Sequence, residues 1–321
     1  MELRTLRHLL ACVLASMLAI PTAFAQYPEK PIKMLIGYPP GSATDLFGRF
    51  IGDYLQRSMG QPVVVENRPG AAGNIAAETA VRAHHDGYTL LNSASQIAIN
   101  PFVQKLSFDT TKDLIPVTQT IAATYVLVTR PDFPANDLAG LIKHVKEKPG
   151  ALDYGSYGQG SGPHLTMAML QRLAGMKAEH IAYRGSPQML TAVIAGEIDM
   201  AFDTSTSVAS HIESGRLKAI AVAGPKSLSV LPGIEPIAKT FPGFNTDGWQ
   251  GIFVPAGTPQ DVVLKLNEEI VKALKTPGFK DLADARGVAV IASTQEEFAK
   301  YFQAELKKYE KVVKENDIRL E

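Results

Sequence analysis

The chain has one cysteine in 321 residues, Cys12, and it falls inside an apolar N-terminal run. Beyond that run there is no material for a disulfide, a thiolate nucleophile or a cysteine metal site. Charge excess is also missing: 32 Lys+Arg face 32 Asp+Glu. That balance excludes nucleic acid and an anionic membrane as natural partners. After residue 25 no stretch is long and apolar enough to span a bilayer, so no stable membrane insertion is expected. A metal cluster is lacking too. His84-His85-Asp86 are adjacent, their side chains point apart, and no second ligand group accompanies them.

Complete catalytic signatures are equally scarce. Gly155-Ser156-Tyr157-Gly158 is one residue short of a G-x-S-x-G nucleophile elbow. Gly158-Gln159-Gly160 lacks the third glycine and the acidic partner of a dinucleotide site, so no cofactor is expected. Serine hydrolysis would require His164, His180 or His211 to pair with Asp199 or Asp203, and no spacing demands it. The chain reads as a non-enzyme.

What is present begins with a leader. Arg4, Arg7 and His8 precede an apolar Leu9–Ile20 segment, and Thr22-Ala23-Phe24-Ala25 ends in an A-x-A pattern. This is a secretory signal peptide with cleavage expected after Ala25, which implies a periplasmic protein. Cys12 sits within the apolar run rather than after it, unlike a lipoprotein cysteine. With 45% hydrophobic residues, the remainder can build one core and has the length for two.

Apolar β-rich runs then alternate with helical patterns, giving an α/β fold with mainly parallel sheets. Strands are expected at Ile32–Ile36, Val63–Val65, Thr89–Asn92 and Tyr125–Thr129. Helices are expected at Asp45–Met59, with Leu46, Phe50, Ile51 and Leu55 on one face, at Asn74–Ala83 and at Asp137–Lys148. A second block repeats the alternation: His164–Ala174, Pro187–Ala195 and Thr206–Ser214 as helices; His180–Ala182, Ile198–Phe202 and Ala219–Ala223 as strands. Trp249–Val254 is a last strand, and Gln260–Lys275 and Gln295–Asn316 are charged-face helices. Two blocks with a C-terminal return imply two lobes, residues 26–124 with 249–321 and residues 125–248. The chain crosses between them near Ile121–Val126 and Asn245–Gly251. Ligands of such folds sit at strand C-termini, in a cleft.

Four loops at strand ends carry the chemistry. Tyr38-Pro39-Pro40-Gly41-Ser42-Ala43-Thr44-Asp45 leads from a strand into a helix, leaving backbone N–H groups and a positive dipole end for an anion. Asn67–Asn74 repeats the arrangement, with Gly70 and Gly73 able to take positive φ. Gly155–His164 and Tyr183–Pro187 repeat it in the second block, with hydroxyls as extra donors.

These loops also carry a resemblance. "YPPGSATD…GR" (38–49), "ENRPGAAGNIAAE" (66–78), "DGYTLL" (86–91), "YGSYGQGSGPHL" (154–165), "YRGSPQ" (183–188), "GEIDMAFD" (196–203), "GRLKAIAV" (215–222) and "WQGIFVPAGTP" (249–259) run in order through the chain. Together they resemble the Bug family, the solute-binding proteins of tripartite tricarboxylate transporters. The resemblance implies a two-lobed, type II-like periplasmic binding protein, each lobe a central sheet flanked by helices. It closes as a monomer on a small mono-, di- or tricarboxylate and passes it to a two-component membrane permease. Carried onto this sequence, the ligand positions are Gly41, Ser42, Ala43, Thr44 and Asp45, then Gly73 and Asn74, then Ser93, Ala94 and Ser95. The second lobe supplies Ser156, Gly160, Ser161 and His164, then Tyr183 and Arg184, and Asp203. Ser42, Ala72, Ala76 and His85 depart from the family's usual residues there, which weakens any transfer of ligand identity.

Single residues carry competing readings. Asp45 either meets a ligand ammonium or, as favoured here, bonds loop N–H groups at a helix start. Arg49 is read as its i,i+4 partner. Arg184 either uses its planar fork on a second carboxylate or is a surface residue. Tyr38 and Tyr183 either wall the ligand or pack. Trp249 is read as core or hinge packing. Two other functions remain as alternatives, a sensor of the same fold and a serine hydrolase using the Ser156 or Ser161 loop.

Overall fold

The computed structural model describes residues 27–315. The expected leader, with Cys12, lies outside the described residues, as does Asn316. Ile32–Ile36 (β1) runs parallel to Val63–Asn67 (β2) on one side and Thr89–Ala94 (β3) on the other. Its apolar sequence suits a strand covered on both faces.

The sheet is mixed rather than mainly parallel. Asp247–Pro255 (β9) lies antiparallel between β3 and Leu114–Thr129 (β4). The reason is the route of the chain. β9 returns from the second half of the molecule and enters the sheet from the opposite end, without the crossover helix that a parallel neighbour needs. Val288–Val290 (β10) is a further antiparallel partner of β4 at Ile121–Ala123.

β4 is the spine. Its Leu114–Thr124 part pairs with β9, and its Tyr125–Thr129 part pairs with Met200–Thr204 (β7). Lys218–Val222 (β8) also pairs with that second part. β7 is parallel to Asp153–Ser156 (β5), which is parallel to Glu179–Ala182 (β6). Only the end of the strand was expected from sequence. Pro116 and the polar run Thr118-Gln119-Thr120 hide the rest. Those polar groups are buried and satisfied: the Thr118 hydroxyl donates to Ser293 O at 2.8 Å and that of Thr120 to Gln250 O at 3.1 Å.

Helices cover both faces of each half: Ala43–Met59 (α1), Asn74–Val81 (α2), Gln96–Val103 (α3), Leu138–Glu147 (α4), Gly162–Ala174 (α5), Ser186–Ala195 (α6), Ser205–Glu213 (α7), Gln260–Leu274 (α8), Pro277–Asp284 (α9) and Gln295–Glu315 (α10). Asp137 caps α4, accepting from Gly140 N at 2.7 Å. In α1 the buried face is centred on Phe47, Ile51 and Leu55, not on Leu46 and Phe50. Two glycines explain the rotation. A Cβ on Gly48 would lie 2.6 Å from Asn92 Nδ2, and one on Gly52 would lie 3.2 Å from Val65 Cγ2. The helix therefore presses that face onto the sheet, and Phe50 turns outward to meet Phe279 edge-on at 5.2 Å.

The core has four parts, two per half-sheet. Phe47, Ile51 and Phe279 fill one face of the first half, and Trp249, Phe253, Phe298 and Phe302 fill the other. Leu127, Met200 and Phe202 lie on one face of the second half, and Val126, Met189 and Val193 on the other.

Candidate ligand-binding site

Between the two half-sheets lies a narrow cavity. From the first half it is lined by Tyr38, Ser42, Ala43 and Thr44, by Ala94, Ser95 and Gln96, and by Ala123, Gly248, Trp249 and Gln250. From the second it is lined by Tyr125, Tyr157, Gly162, Ser186, Thr204 and Ser207. The pattern in these residues is positional. Among the described residues, the N-termini of α1, α3, α5, α6 and α7 all reach this space, while no lysine or arginine lines it.

The strand–turn–helix sequence at α1 produces this locally. Gly41 takes φ +82°, turning the chain out of the strand. Ser42 is the N-cap, its hydroxyl accepting from Asp45 N at 3.3 Å while its own N–H donates to Pro39 O at 3.2 Å. The N–H groups of Ala43 and Thr44 keep no acceptor among the described residues. At α7, Thr204 is the cap residue and the side chains of Thr204 and Ser207 bond each other at 3.1 Å, so the first N–H groups of that helix are likewise open.

Asp45 serves the loop. Its carboxylate accepts from Gly41 N (3.0 Å), Arg49 Nε (2.9 Å) and Asn67 Nδ2 (2.8 Å). Burial pushes its pKa up, but these three donors outweigh it and hold the carboxyl below its ordinary range.

Asp203 is fully buried behind the second wall. It accepts from the Tyr157 hydroxyl, from Ser186 Oγ at 2.6 Å and from Thr204 N at 2.6 Å. Burial raises its pKa to about 6, although those donors pull the other way. Asp203 thus fixes three cavity-lining residues without lining the cavity itself.

Of the other expected positions, Tyr38, Ser42, Ala43, Thr44, Ala94 and Ser95 come together at the cavity. Tyr183 and Arg184 line a separate outer groove with Pro39, Ala71 and Ala72, and Tyr157 borders both spaces. Gly73, at φ +88°, lies under the Tyr38 ring. Asn74 accepts from Asn100 Nδ2 at 2.5 Å. Ser93 is buried in β3 opposite Gly251.

Ser156, Gly160, Ser161 and His164 stand behind the second wall. The Ser156 hydroxyl lies 2.6 Å from His180 Nε2, and Gly160 N donates to His164 Nδ1 at 3.1 Å. The two imidazoles pack with centroids 4.4 Å apart. Burial and the neighbouring His180 lower the His164 pKa to about 4, and burial lowers that of His180. Ser156 is wholly buried and away from both spaces. Asp199, a carboxylate considered for a triad, is bonded to Arg130 at 3.1 Å and to Asp153 N at 2.9 Å.

Sequence reasoning missed Gln96, Tyr125, Thr204, Ser207, Gly248 and Gln250 as lining residues, and read Trp249 as core or hinge packing. Trp249 does both jobs: it lines the cavity, and its Nε1 donates to the buried Glu305 at 2.8 Å. The hydroxyl run Thr204-Ser205-Thr206-Ser207 at the start of α7 was the legible signal for two of these. Gln96 and Gln250 carried none.

Comparison with known proteins agrees with this geometry. Residues 47–318 match the tripartite tricarboxylate transporter family receptor. A protein encoded in the tcbD–tcbE intergenic region of Pseudomonas sp. (strain P51) is 33% identical over 292 residues, covering 90% of this chain and 87% of that one. Protein BugT of Bordetella pertussis is 30% identical, covering 94% of each chain. Among solved structures, a periplasmic transporter superposes with a TM-score of 0.88 at 35% identity, over 92% of this chain and 100% of that one. Rpa4515 of R. palustris, with adipate, gives 0.88 at 26% identity over the same shares. MatC of Rhodopseudomonas palustris, with bound malate, gives 0.83 at 27% over 89% of this chain and 100% of that one. The chain belongs to the Bug (TctC) family of tripartite tricarboxylate transporter receptors, two-lobed α/β periplasmic binding proteins.

Proposed function

We propose that this protein captures a small carboxylate in the cavity by closing two lobes over it, and delivers it to the membrane subunits of a tripartite transporter. The observation that carries this reading is the convergence of five helix N-termini on a space lined by no cation. Open N–H groups and dipole ends favour an anion there. Neutral donors also avoid burying a formal ion pair, whose desolvation would offset much of its attraction. Adipate in Rpa4515 and malate in MatC are ligands of that chemistry in proteins of the same fold.

In this reading one carboxylate sits at the N–H groups of Ala43 and Thr44 and the Ser42 and Ser95 hydroxyls. The open N–H groups at the start of α7 meet it from the second lobe. The far end of a longer ligand points past Tyr157 toward Tyr183 and Arg184. The lobes divide where β4 changes partners, at Thr124/Tyr125, and again at the start of β9. The leader through Ala25 exports the chain to the periplasm, where it works as a monomer without cofactor or catalytic step.

Isothermal titration against a panel that includes malate, adipate and citrate tests the assignment. Micromolar-range binding of at least one member is expected. Trp249 gives an independent signal, since it is the only tryptophan of the chain and it lines the cavity. Absence of both heat and fluorescence change across mono-, di- and tricarboxylates would overturn the reading.

A further inference from the structure

Gln96 opens α3 and is 4% exposed. Both ends of its carboxamide are used across the cleft. Nε2 donates to Gly160 O at 2.9 Å, and Oε1 accepts from Gly162 N at 3.0 Å. Gly160 and Gly162 flank Ser161 in the loop between β5 and α5, so one side chain binds two backbone groups of the opposite half as a short strand would. The amide is held from behind by Asn100, whose Oδ1 accepts from Nε2 at 2.6 Å. Asn100 in turn donates to Ala72 O at 3.2 Å and to Asn74 Oδ1. On the other side His164 accepts from Gly160 N, fixing the peptide that Gln96 grips. Gln96 also lines the cavity.

We propose that Gln96 is a closure latch, a positioning residue that holds the second-lobe loop Gly158–Gly162 against α3 when the lobes shut. This rests on the reading that the lobes close over a carboxylate. The two cross-cleft bonds exist only while the lobes are shut, and in an open cleft water takes both partners. Each such neutral bond has a modest net worth, so two of them slow opening by roughly tenfold. Asn100 sets the amide's rotamer and thereby couples the latch to the Gly70–Asn74 loop at the outer groove.

The test compares wild type with Gln96→Leu, which fills the space but makes neither bond, and with Asn100→Leu, which lies off the cavity. Small-angle scattering is recorded without ligand and with saturating malate or adipate, and probe release is followed by stopped-flow Trp249 fluorescence. The latch requires Gln96→Leu to remain more open than wild type at saturation and to release the probe roughly tenfold faster. Asn100→Leu should show a smaller shift in the same direction. Gln96→Leu scattering that matches wild type in both states overturns the latch. So does weaker binding of Gln96→Leu with full closure at saturation and an unchanged Asn100→Leu, which is the signature of a ligand contact. If wild type binds no member of the panel, the function reading fails, and the ligand-free scattering still decides whether Gln96 holds the lobes together.

Discussion

Gly185 offers the most direct test of closure. It precedes α6 in the second half, with backbone angles in the extended region that any residue adopts. A Cβ placed there would lie 2.9 Å from both Cδ and Cγ of Pro39, which belongs to the turn before α1 across the cleft. Carbon atoms rest at about 3.5–4.0 Å, so Gly185→Ala requires the two turns to part by roughly half an ångström or more. Pro39 cannot swing aside as a flexible side chain would, because its ring fixes the backbone. Overpacking of this kind costs about 1–3 kcal/mol, and only the closed state bears it. Apparent affinity for the carboxylate should therefore fall by roughly 5- to 100-fold by calorimetry, because the binding-competent population shrinks. Gly185→Leu should lose more. Denaturant-induced unfolding of the ligand-free open form should be unchanged, since the wedge touches nothing when the lobes are apart. Wild-type affinity in both variants would refute cross-cleft contact as a condition of binding.

Other predictions address the loop, the cap and the buried acid. Ala71 and Ala72 sit at φ +46° and +52°, a region that costs L-residues roughly 1–2 kcal/mol each, so Ala72→Gly should raise unfolding stability by about 1 kcal/mol in urea. No gain would show that the strain is relieved elsewhere. Ser42→Ala removes the cap acceptor of α1 and should cost about 1 kcal/mol of stability together with some affinity, whereas Arg49→Ala should leave affinity within twofold. Equal affinity losses would place the anion on a side chain rather than the helix start. His164, held down at about 4, contributes stability that is complete above pH 6.5 and is lost as pH falls toward 4. Asp203, raised to about 6, has the opposite sign: its contribution is present below the ordinary carboxylate value and is lost as pH rises through 6. The two partly cancel over one window, so Asp203→Asn should gain on wild type by up to about 3 kcal/mol between pH 4 and 6, read by denaturant titration at stepped pH. Parallel profiles would refute the buried charge.

How much of this was legible in sequence follows from what local pattern can encode. The strand–turn–helix units at Ile36–Asp45 and Gly155–His164 announced themselves, because a turn before a helix needs glycine, proline and a hydroxyl cap at fixed offsets. The Asp45–Arg49 pair was readable from i,i+4 spacing for the same reason. The first eleven residues of β4 were not, since Pro116 and the buried polar run Thr118-Gln119-Thr120 interrupt their apolar pattern, and those polar groups are satisfied by Ser293 and Gln250, which are distant in sequence. The rotation of α1 escaped because periodicity counts apolar residues, whereas Gly48 and Gly52 set the face by having no side chain. Gln96 and Gln250 escaped because an isolated glutamine carries no pattern. Their roles depend on which loop lies opposite, and that is decided only when two lobes meet.

The second wall adds a further constraint on what the cavity accepts. Asp203 lies directly behind Tyr157, Ser186 and Thr204 and is engaged by all three. Because the Tyr157 and Ser186 protons are spent on that carboxylate, those hydroxyls present lone pairs rather than hydrogens toward the cavity. The donors left for an anion on this side are the open backbone N–H groups at the start of α7, since the Thr204 and Ser207 hydroxyls are bonded to each other. An acceptor-lined patch beside a donor-lined one suits a ligand that carries a hydroxyl or a protonated carboxyl a few atoms from its carboxylate. Tyr157→Phe separates this from simple packing. It keeps the ring and removes the hydroxyl, so it should weaken a hydroxy acid such as malate more than its deoxy counterpart succinate. Equal losses for the two acids would assign Tyr157 to packing alone.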